Sequence, residues 1–313
     1  MNILDRKKAC NPHEFIIGMS GSGKSKIIKK EIKKVYDSTS DNIIIIDYYN
    51  EYTQNVLELA GETINFEEIT INPMNIDFLN FQNENFIYDK SDFLMLVFQN
   101  ILNRELLPLE KSQLDAAIRQ AYNNKENPTL TDLKMYLTKS NKYLCNIIDE
   151  LYKIPFISDK TSIKLNKRVT SLNLKNISNE YKNIAWLFCL ELVYKEICHN
   201  HQKSIYTWVY FEEIFNSITN KSLSYFSYIY KRARSLGGIL TTVSSLFSDI
   251  IDNDYLRSAF LNTTFVILLK LEKPDINLVQ DIFEIDNKYI EHIANEKCTD
   301  GIIIRNGQVD FFK

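Results

Sequence analysis

The sequence has 313 residues, of which 45% are apolar, 25% charged and 12% aromatic, a composition typical of a soluble globular protein rather than a disordered one. Lys and Arg number 37 against 40 Asp and Glu, and the net charge of −3 argues against a protein whose main work is sequence-independent nucleic-acid binding. No apolar run approaches the roughly 18 residues that span a bilayer, no secretory signal is visible, and the 5 cysteines lack a metal-binding spacing. We therefore expect a cytoplasmic protein whose membrane attachment, if any, is peripheral.

The first fifty residues predict the opening of an α/β domain. A short apolar run at residues 15–17 leads into a glycine-rich turn, and residues 26–36 have apolar side chains at helical spacing. Residues 42–47 form an apolar run that ends in an acid, as expected of a buried parallel strand. Strand, loop, helix and strand in this order indicate a mainly parallel sheet.

The pattern changes at about residue 79, where helical signals replace strands. Helix starts are indicated at Ser91, at Pro108 and at residues 128–131. We therefore expect an all-helical insertion at residues 79–155, inside a larger domain made of residues 1–78 and 156–313.

The remaining sequence returns to strands and helices. Residues 181–199 predict a long, largely buried helix, and Asn306-Gly307 between two apolar runs is a strong signal of a β-hairpin. Strands are predicted at residues 169–174, 205–211, 239–243 and 265–269. The chain as a whole predicts an α/β fold with a mainly parallel sheet, a helical insertion and a C-terminal hairpin.

Residues 18–25, Gly-Met-Ser-Gly-Ser-Gly-Lys-Ser, match the phosphate-binding P-loop pattern G-x-x-x-x-G-K-[ST] at every required position. They lie between a predicted strand and a predicted helix, a context that distinguishes a P-loop from a chance glycine-serine turn. Backbone N–H groups of such a loop turn inward on phosphate oxygens, and the helix N-terminus adds favourable dipole charge. Lys24 is expected to reach the β- and γ-phosphates, and the Ser25 hydroxyl to bind Mg²⁺. The predicted nucleotide-binding residues are Gly21, Ser22, Gly23, Lys24, Ser25 and Lys26.

A P-loop enzyme also needs acidic groups beside the phosphates. Glu212 and Glu213 stand at the end of the predicted strand 205–211. We expect Glu212 to lie near Ser25 and bind Mg²⁺, and Glu213 to orient the attacking water. Two solvated acids at a strand end are the alternative interpretation. ATP and Mg²⁺ are the predicted cofactors.

Basic residues gather at positions 231–234, where a predicted helix ends before Gly237-Gly238. One interpretation is local, because basic side chains favour a helix C-terminus ahead of a glycine cap. The other is an arginine finger that reaches the γ-phosphate of a neighbouring subunit.

These motifs, in this order, resemble the conjugative-transfer ATPases of type IV secretion systems (the VirB-four, TraC and TrbE class). Residues 11–25 match the family's approach to the P-loop, residues 47–52 (Asp-Tyr-Tyr-Asn-Glu-Tyr) are similar to its D-P-E-x-E-Y segment, and residues 230–238 match its C-terminal motor. The likeness runs over nearly the whole chain and corresponds to the motor half of the family.

The resemblance implies a RecA-like P-loop NTPase domain of the HerA/FtsK type. It also implies a Mg-dependent ATPase that often works as a hexamer at the inner face of the cell membrane, with secretion-channel and coupling proteins as partners. Arg234 stands where the family has its trans-acting catalytic arginine, with Arg232 as the near alternative.

Three departures from the family pattern surround the nucleotide site. Glu212 replaces the usual Asp, Ser245 stands at the place of a polar sensor glutamine, and Tyr48 and Tyr49 occupy the positions of the proline and first glutamate. Together they indicate slow hydrolysis, or a subunit that binds ATP and hydrolyses little.

The predicted function is an ATP-binding and ATP-hydrolysing motor subunit that powers channel assembly or substrate transfer in conjugation or type IV secretion. Two alternatives stay open: a degenerate nucleotide-binding assembly subunit with little turnover, and a HerA/FtsK-like DNA-translocating ATPase. The net charge does not indicate DNA as a partner, but it is compatible with a local basic patch.

Overall fold

A nine-stranded sheet organises the computed structural model, which describes residues 3–75, 85–212, 218–295 and 300–312. Its strands are β1 (Glu14–Ile17), β2 (Asn42–Asp47), β3 (Glu62–Asn65), β4 (Val169–Asn173), β5 (Thr207–Phe211), β6 (Gly238–Ser244), β7 (Phe265–Leu268), β8 (Gly301–Arg305) and β9 (Gln308–Phe312). They are ordered β3-β4-β2-β5-β6-β1-β7-β8-β9. The strands from β3 to β7 in this order are parallel, β8 runs antiparallel to β7, and β9 runs antiparallel to β8 and so has the direction of the parallel strands.

The sheet confirms the predicted fold class, every strand predicted from the sequence and the C-terminal hairpin. Asn306 (φ 48°) and Gly307 (φ 76°) are both left-handed, as a two-residue type I′ hairpin turn requires. No strand is predicted from the sequence at β3, whose residues Glu-Thr-Ile-Asn include one buried side chain, Ile64. This strand lies at the edge of the sheet, where half of the backbone has no neighbour and an apolar run is not required.

Helices cover both faces of the sheet. They are α1 (Lys24–Ser38), α2 (Thr53–Glu58), α3 (Asn85–Leu102), α4 (Pro108–Asn124), α5 (Leu130–Ser140), α6 (Lys142–Leu151), α7 (Asn179–Gln202), α8 (Asn220–Ala233), α9 (Ser248–Asp252), α10 (Asp254–Leu261), α11 (Lys273–Phe283) and α12 (Asn287–Ala294). Along β2, Ile43 and Ile45 pack with α1 and α2, whereas Ile44 and Ile46 belong to the core shared with the later helices. Burial on both faces explains why this strand reads as an unbroken apolar run.

The helical insertion expected from the sequence contains α3 to α6, with no strand among its described residues. Thr129 caps α5 through a reciprocal pair of hydrogen bonds with Asp132, so the predicted helix start at residues 128–131 is confirmed. The start expected at Ser91 is wrong. Ser91 lies inside α3, and its hydroxyl donates to Asp115 on α4 at 2.7 Å. The side chain therefore forms a hydrogen bond between two helices and does not cap a helix N-terminus.

The division into residues 1–78 with 156–313 and an insertion at 79–155 stays a prediction. The apolar side chains of α3 to α6 form one continuous core with those of α7 and α8. Among the described residues, no helix is both long and apolar enough to cross a bilayer.

A buried ion pair joins the insertion to the helices that cover the sheet. Lys90 of α3 donates to Glu191 of α7 at 2.7 Å, and the two side chains are 3% and 9% exposed. The Tyr225 hydroxyl of α8 donates to the other carboxylate oxygen at 2.6 Å, and Lys195 Nζ lies 3.5 Å from the first. Burial by itself raises the pKa of Glu191, but the charges of Lys90 and Lys195 outweigh it and lower the pKa to about 2.

Replacing this carboxylate is expected to destabilise the whole chain. Glu191→Gln leaves the buried Lys90 without its counter-charge, and the free energy of unfolding should fall by about 3 kcal/mol in urea titrations. The exposed pair Glu150–Lys153 supplies the control, because Glu150→Gln should change it by less than about 0.5 kcal/mol.

The loss of stability in Glu191→Gln should also depend on pH in a defined direction. Because the pKa of Glu191 is lower in the folded chain than its ordinary value, its contribution is complete above that ordinary value and disappears as the pH falls towards 2. The stability difference between wild type and Glu191→Gln should therefore narrow below about pH 4.5. A difference that stayed constant from pH 7 to pH 3.5 would contradict the assigned ion pair.

Candidate functional site

The predicted P-loop lies between β1 and α1, at the carboxyl edge of the sheet. Gly21 (φ 77°) and Gly23 (φ 100°) both have left-handed backbone conformations, which explains why glycine is needed at these two positions. Helix α1 begins at Lys24 with no acidic residue in its first turn, so the positive end of its dipole faces the loop. This is the geometry of an anion-binding helix N-terminus.

The Lys24 side chain is buried against this loop. Its ammonium donates to the carbonyl oxygens of Gly18 and Met19, at 2.6 and 3.2 Å, and to the hydroxyl of Ser245 at 3.1 Å. Ser245 follows β6, the strand between β1 and β5. The residue that stands at the predicted sensor position therefore directly contacts the P-loop lysine.

Glu212 follows β5 and faces Ser25. The Ser25 hydroxyl donates to Glu212 Oε1 at 3.2 Å, and the buried Tyr52 hydroxyl donates to the same oxygen at 2.8 Å. Oε2 is buried and has no hydrogen-bond partner among the described residues. Burial raises the pKa of Glu212 to about 7, with the Tyr52 hydroxyl opposing the shift and the nearby carboxylates Glu51 and Asp47 adding to it.

The turn after β2 brings Tyr52 to this carboxylate. The side chain of Asp47, the last residue of β2, accepts hydrogen bonds from the N–H groups of Glu51 and Tyr52, at 2.9 and 3.0 Å. This fixes a tight turn in which Asn50 adopts a left-handed conformation. Sequence analysis noticed this segment as a family motif but missed the contact of Tyr52 with Glu212, because no local pattern links two residues 160 positions apart.

A cleft of about 580 Å³ opens where these elements meet. Its walls come from the P-loop, from the turn after β2 and from the end of β5. The lining residues are Ser20, Gly21, Gly23, Lys24, Ser25, Lys26, Tyr49, Glu51 and Glu212. The structure thus brings most of the predicted nucleotide residues and the predicted metal-side acid into one cavity, whereas Glu213 lies outside the described residues.

Arg234 lies on the opposite edge of the sheet. It is exposed and sits in a short 3-10 turn before Gly238, the first residue of β6, whereas the P-loop follows the last residue of the parallel strand β1. The seven residues of β6 separate the two edges, a rise of about 23 Å. The guanidinium of Arg234 cannot reach the cleft of its own chain.

Arg232, the other candidate for the trans-acting arginine, contacts its own helix and α3. It donates to the Tyr228 hydroxyl and lies 3.7 Å from Asp89 on α3. The neighbouring aromatic side chains of α8 are part of the core, since Tyr225, Phe226 and Tyr230 are buried.

The sequence profile of the family described as "Helicase HerA, central domain" matches residues 3–193. No curated protein sequence matches the chain significantly.

Among solved structures, the chain is similar to VirB4 of Thermoanaerobacter pseudethanolicus, with 18% identity and a TM-score of 0.80 over 97% of this chain and 89% of that one. It is also similar to the bacterial conjugative coupling protein TrwB, with 11% identity and a TM-score of 0.60 over 96% of this chain and 84% of that one. TrwB in complex with the non-hydrolysable GTP analogue GDPNP matches with 12% identity and a TM-score of 0.54, over 96% and 78% of the two chains. At these identities the comparison establishes the fold, that of a P-loop NTPase of the HerA/FtsK type with a mostly parallel sheet, and confirms the resemblance to the conjugative ATPases at that level.

The loop geometry can be tested through its glycines. Gly23→Ala places a side chain on a left-handed residue, so the free energy of unfolding should fall by about 1–2 kcal/mol. Because the loop N–H groups change direction, binding of inorganic tripolyphosphate measured by calorimetry should weaken about tenfold.

The hairpin glycine supplies the matched control. Gly307 is also left-handed, so Gly307→Ala should cost similar stability while leaving tripolyphosphate affinity unchanged. Equal losses of tripolyphosphate binding in both variants would mean that the effect is one of general stability and not of the loop.

Proposed function

The chain belongs to the family of the HerA helicase central domain, and from this premise we propose that it is an ATP-binding and ATP-hydrolysing motor subunit of a conjugative-transfer or type IV secretion system. The observation that carries the proposal is the convergence of Lys24, Ser25 and Glu212 on one cleft at the N-terminus of α1. A loop of inward N–H groups, a lysine and a hydroxyl beside a carboxylate are the parts that phosphoryl transfer needs. The structural likeness to a VirB4 and to a conjugative coupling protein supports the choice of system.

Ser25 and Glu212 are suited to Mg²⁺. Both offer oxygen ligands, which this ion prefers, and the buried Oε2 of Glu212 lacks a hydrogen-bond partner among the described residues. Tyr52 fixes Oε1 and so restricts a side chain one methylene longer than the usual aspartate. When bound, Mg²⁺ neutralises charge on the β- and γ-phosphates. We assign Lys24 to the phosphates themselves and Glu213 to the attacking water.

The geometry favours turnover over the degenerate subunit. Glu212 reaches Ser25 in spite of its extra methylene, and Ser245 reaches Lys24 in spite of being shorter than glutamine. Two of the three departures from the family pattern are thereby accommodated within the site. The third departure concerns Tyr48, which is buried, and Tyr49, which is exposed and lines the cleft.

The proposed assembly is a homo-oligomer, with a hexameric ring as the expected form. Arg234 is exposed, and its position on the far edge of the sheet means that its only accessible nucleotide belongs to another subunit. A ring of head-to-tail contacts places one edge of each subunit against the opposite edge of the next. We further propose a place at the cytoplasmic face of the membrane, reached through channel and coupling proteins.

A HerA-like DNA-translocating ATPase is the second candidate function, favoured by the family match over residues 3–193. The net charge of −3 gives no general attraction for DNA. Hydrolysis that DNA stimulates, with a stimulation that falls steeply as salt rises, would favour this candidate over a secretion motor.

Hydrolysis is the direct test of the proposed function. Steady-state ATP turnover with Mg²⁺ should rise in specific activity with protein concentration, and Glu213→Gln should lower it by about 10²-fold or more. Lys24→Ala should lose nucleotide binding as well, and Glu150→Gln on the exposed surface should match wild type. Binding without turnover would select the degenerate subunit, and absence of binding would overturn the proposal.

The role of Arg234 can be tested by mixing variants. Arg234→Ala should lower turnover by about 10³-fold, the usual effect of losing an arginine finger, while Lys231→Ala, an exposed basic change at the end of the same helix, should not. Mixing Arg234→Ala with Lys24→Ala should restore about a quarter of the activity, because some interfaces then combine an intact cleft with an intact arginine. Mixtures as inactive as their components would show that Arg234 does not act between subunits.

A further inference from the structure

A second cavity adjoins the P-loop on the side away from Glu212. It has a volume of about 250 Å³ and lies between α1 and the end of β9. We call it the α1–β9 groove, and its main lining residues are Ser22, Gly23, Lys26, Ile27, Lys30 and Phe312. Gly23 and Lys26 also line the phosphate cleft, so the two cavities meet at the start of α1.

The metal side of the cleft determines where the rest of a bound nucleotide must lie. Ser25 and Glu212 would hold Mg²⁺, which would neutralise charge on the β- and γ-phosphates, so these two residues mark that end of the cleft. The α-phosphate and the nucleoside then extend away from Glu212. The groove that begins at Gly23 and Lys26 continues the cleft in that direction.

The C-terminal hairpin supplies an aromatic wall at this point. β8 runs antiparallel to β7 and β9 runs antiparallel to β8, so β9 ends at the carboxyl edge where the P-loop lies, and Phe312 pairs with Gly301 there. The Phe312 ring is half-buried and packs against the core cluster that contains Ile3 and Ile28. It therefore offers a fixed apolar surface opposite Ile27.

The wall of the groove that α1 forms, opposite Phe312, is polar and basic. Lys26, Lys30 and Lys34 follow one another at one-turn spacing on the exposed side of α1 and all line the groove, over a length of about 12 Å. Asp300, just before β8, also lines the groove, and its carboxylate lies 3.9 Å from His292 Nε2. Ile3, Ile27 and Phe312 are the apolar lining residues, and Glu31 adds a carboxylate to the charged ones. The volume lies just below the roughly 300–1,000 Å³ of drug-sized ligands.

We propose that the α1–β9 groove binds the nucleoside of the nucleotide whose phosphates occupy the P-loop, with the base against Phe312. This inference rests on the proposed function, since it needs a nucleotide in the cleft. It makes the last strand of the chain part of the nucleotide site. The hairpin then contributes to affinity for the base and not to affinity for the phosphates.

Calorimetry with two probes tests the groove separately from the P-loop. Phe312→Ala should weaken ATP binding about tenfold, the scale of one lost base–aromatic contact, and leave binding of inorganic tripolyphosphate unchanged. Phe311→Ala is the matched control. Phe311 is the neighbouring residue on β9 and contacts Tyr289 and His292, on the other side of the sheet, so ATP binding should match wild type.

The outcomes separate the two proposals. If wild type binds neither probe, the proposed function fails; if it binds both and Phe312→Ala binds ATP as wild type does, only the groove assignment fails. Should Phe312→Ala not fold, photolabelling of the wild-type chain with 8-azido-ATP gives the same decision. Labelled peptides should come from α1 and β9. ATP should protect these peptides from labelling, and tripolyphosphate should not. Labelling confined to the turn after β2 would overturn the inference.

Discussion

The site depends on one topological constraint, the position of β6 between β1 and β5 in a parallel sheet. Because parallel strands end at the same edge, the residues that follow these three strands must meet. Lys24 and Ser245 are 221 positions apart in sequence, and Ser25 and Glu212 are 187 apart, yet each pair is joined by a hydrogen bond. A different strand order would separate the phosphate loop from its acid, however well each motif were preserved.

The two faces of the sheet contribute differently to this site. One face carries α1, whose N-terminus forms the phosphate cradle, and the turn after β2, which delivers Tyr52 to Glu212. The other face carries α7 and α8, to which the helical insertion is fixed by the buried Glu191. The same contact region holds Arg232 against α3, and Arg234 beyond it is left exposed.

The two edges of the sheet are also unequal. The cleft and the α1–β9 groove lie at the carboxyl edge, and Arg234 lies at the amino edge. The proposed trans-acting role of Arg234 fits this asymmetry, because a head-to-tail ring places one edge of each subunit against the opposite edge of the next.

Contiguous patterns in the sequence predicted the P-loop, the apolar strands, the helix start at residues 128–131 and the Asn306-Gly307 hairpin, because each depends on neighbouring residues and local backbone preferences. Ser91 was misread from the same kind of signal, since its hydroxyl bonds to Asp115 on another helix. The contact of Tyr52 with Glu212, the ion pair of Lys90 with Glu191 and the approach of Phe312 to α1 required the tertiary structure. Each of these joins residues far apart along the chain, and only strand order and helix packing bring such residues within contact distance.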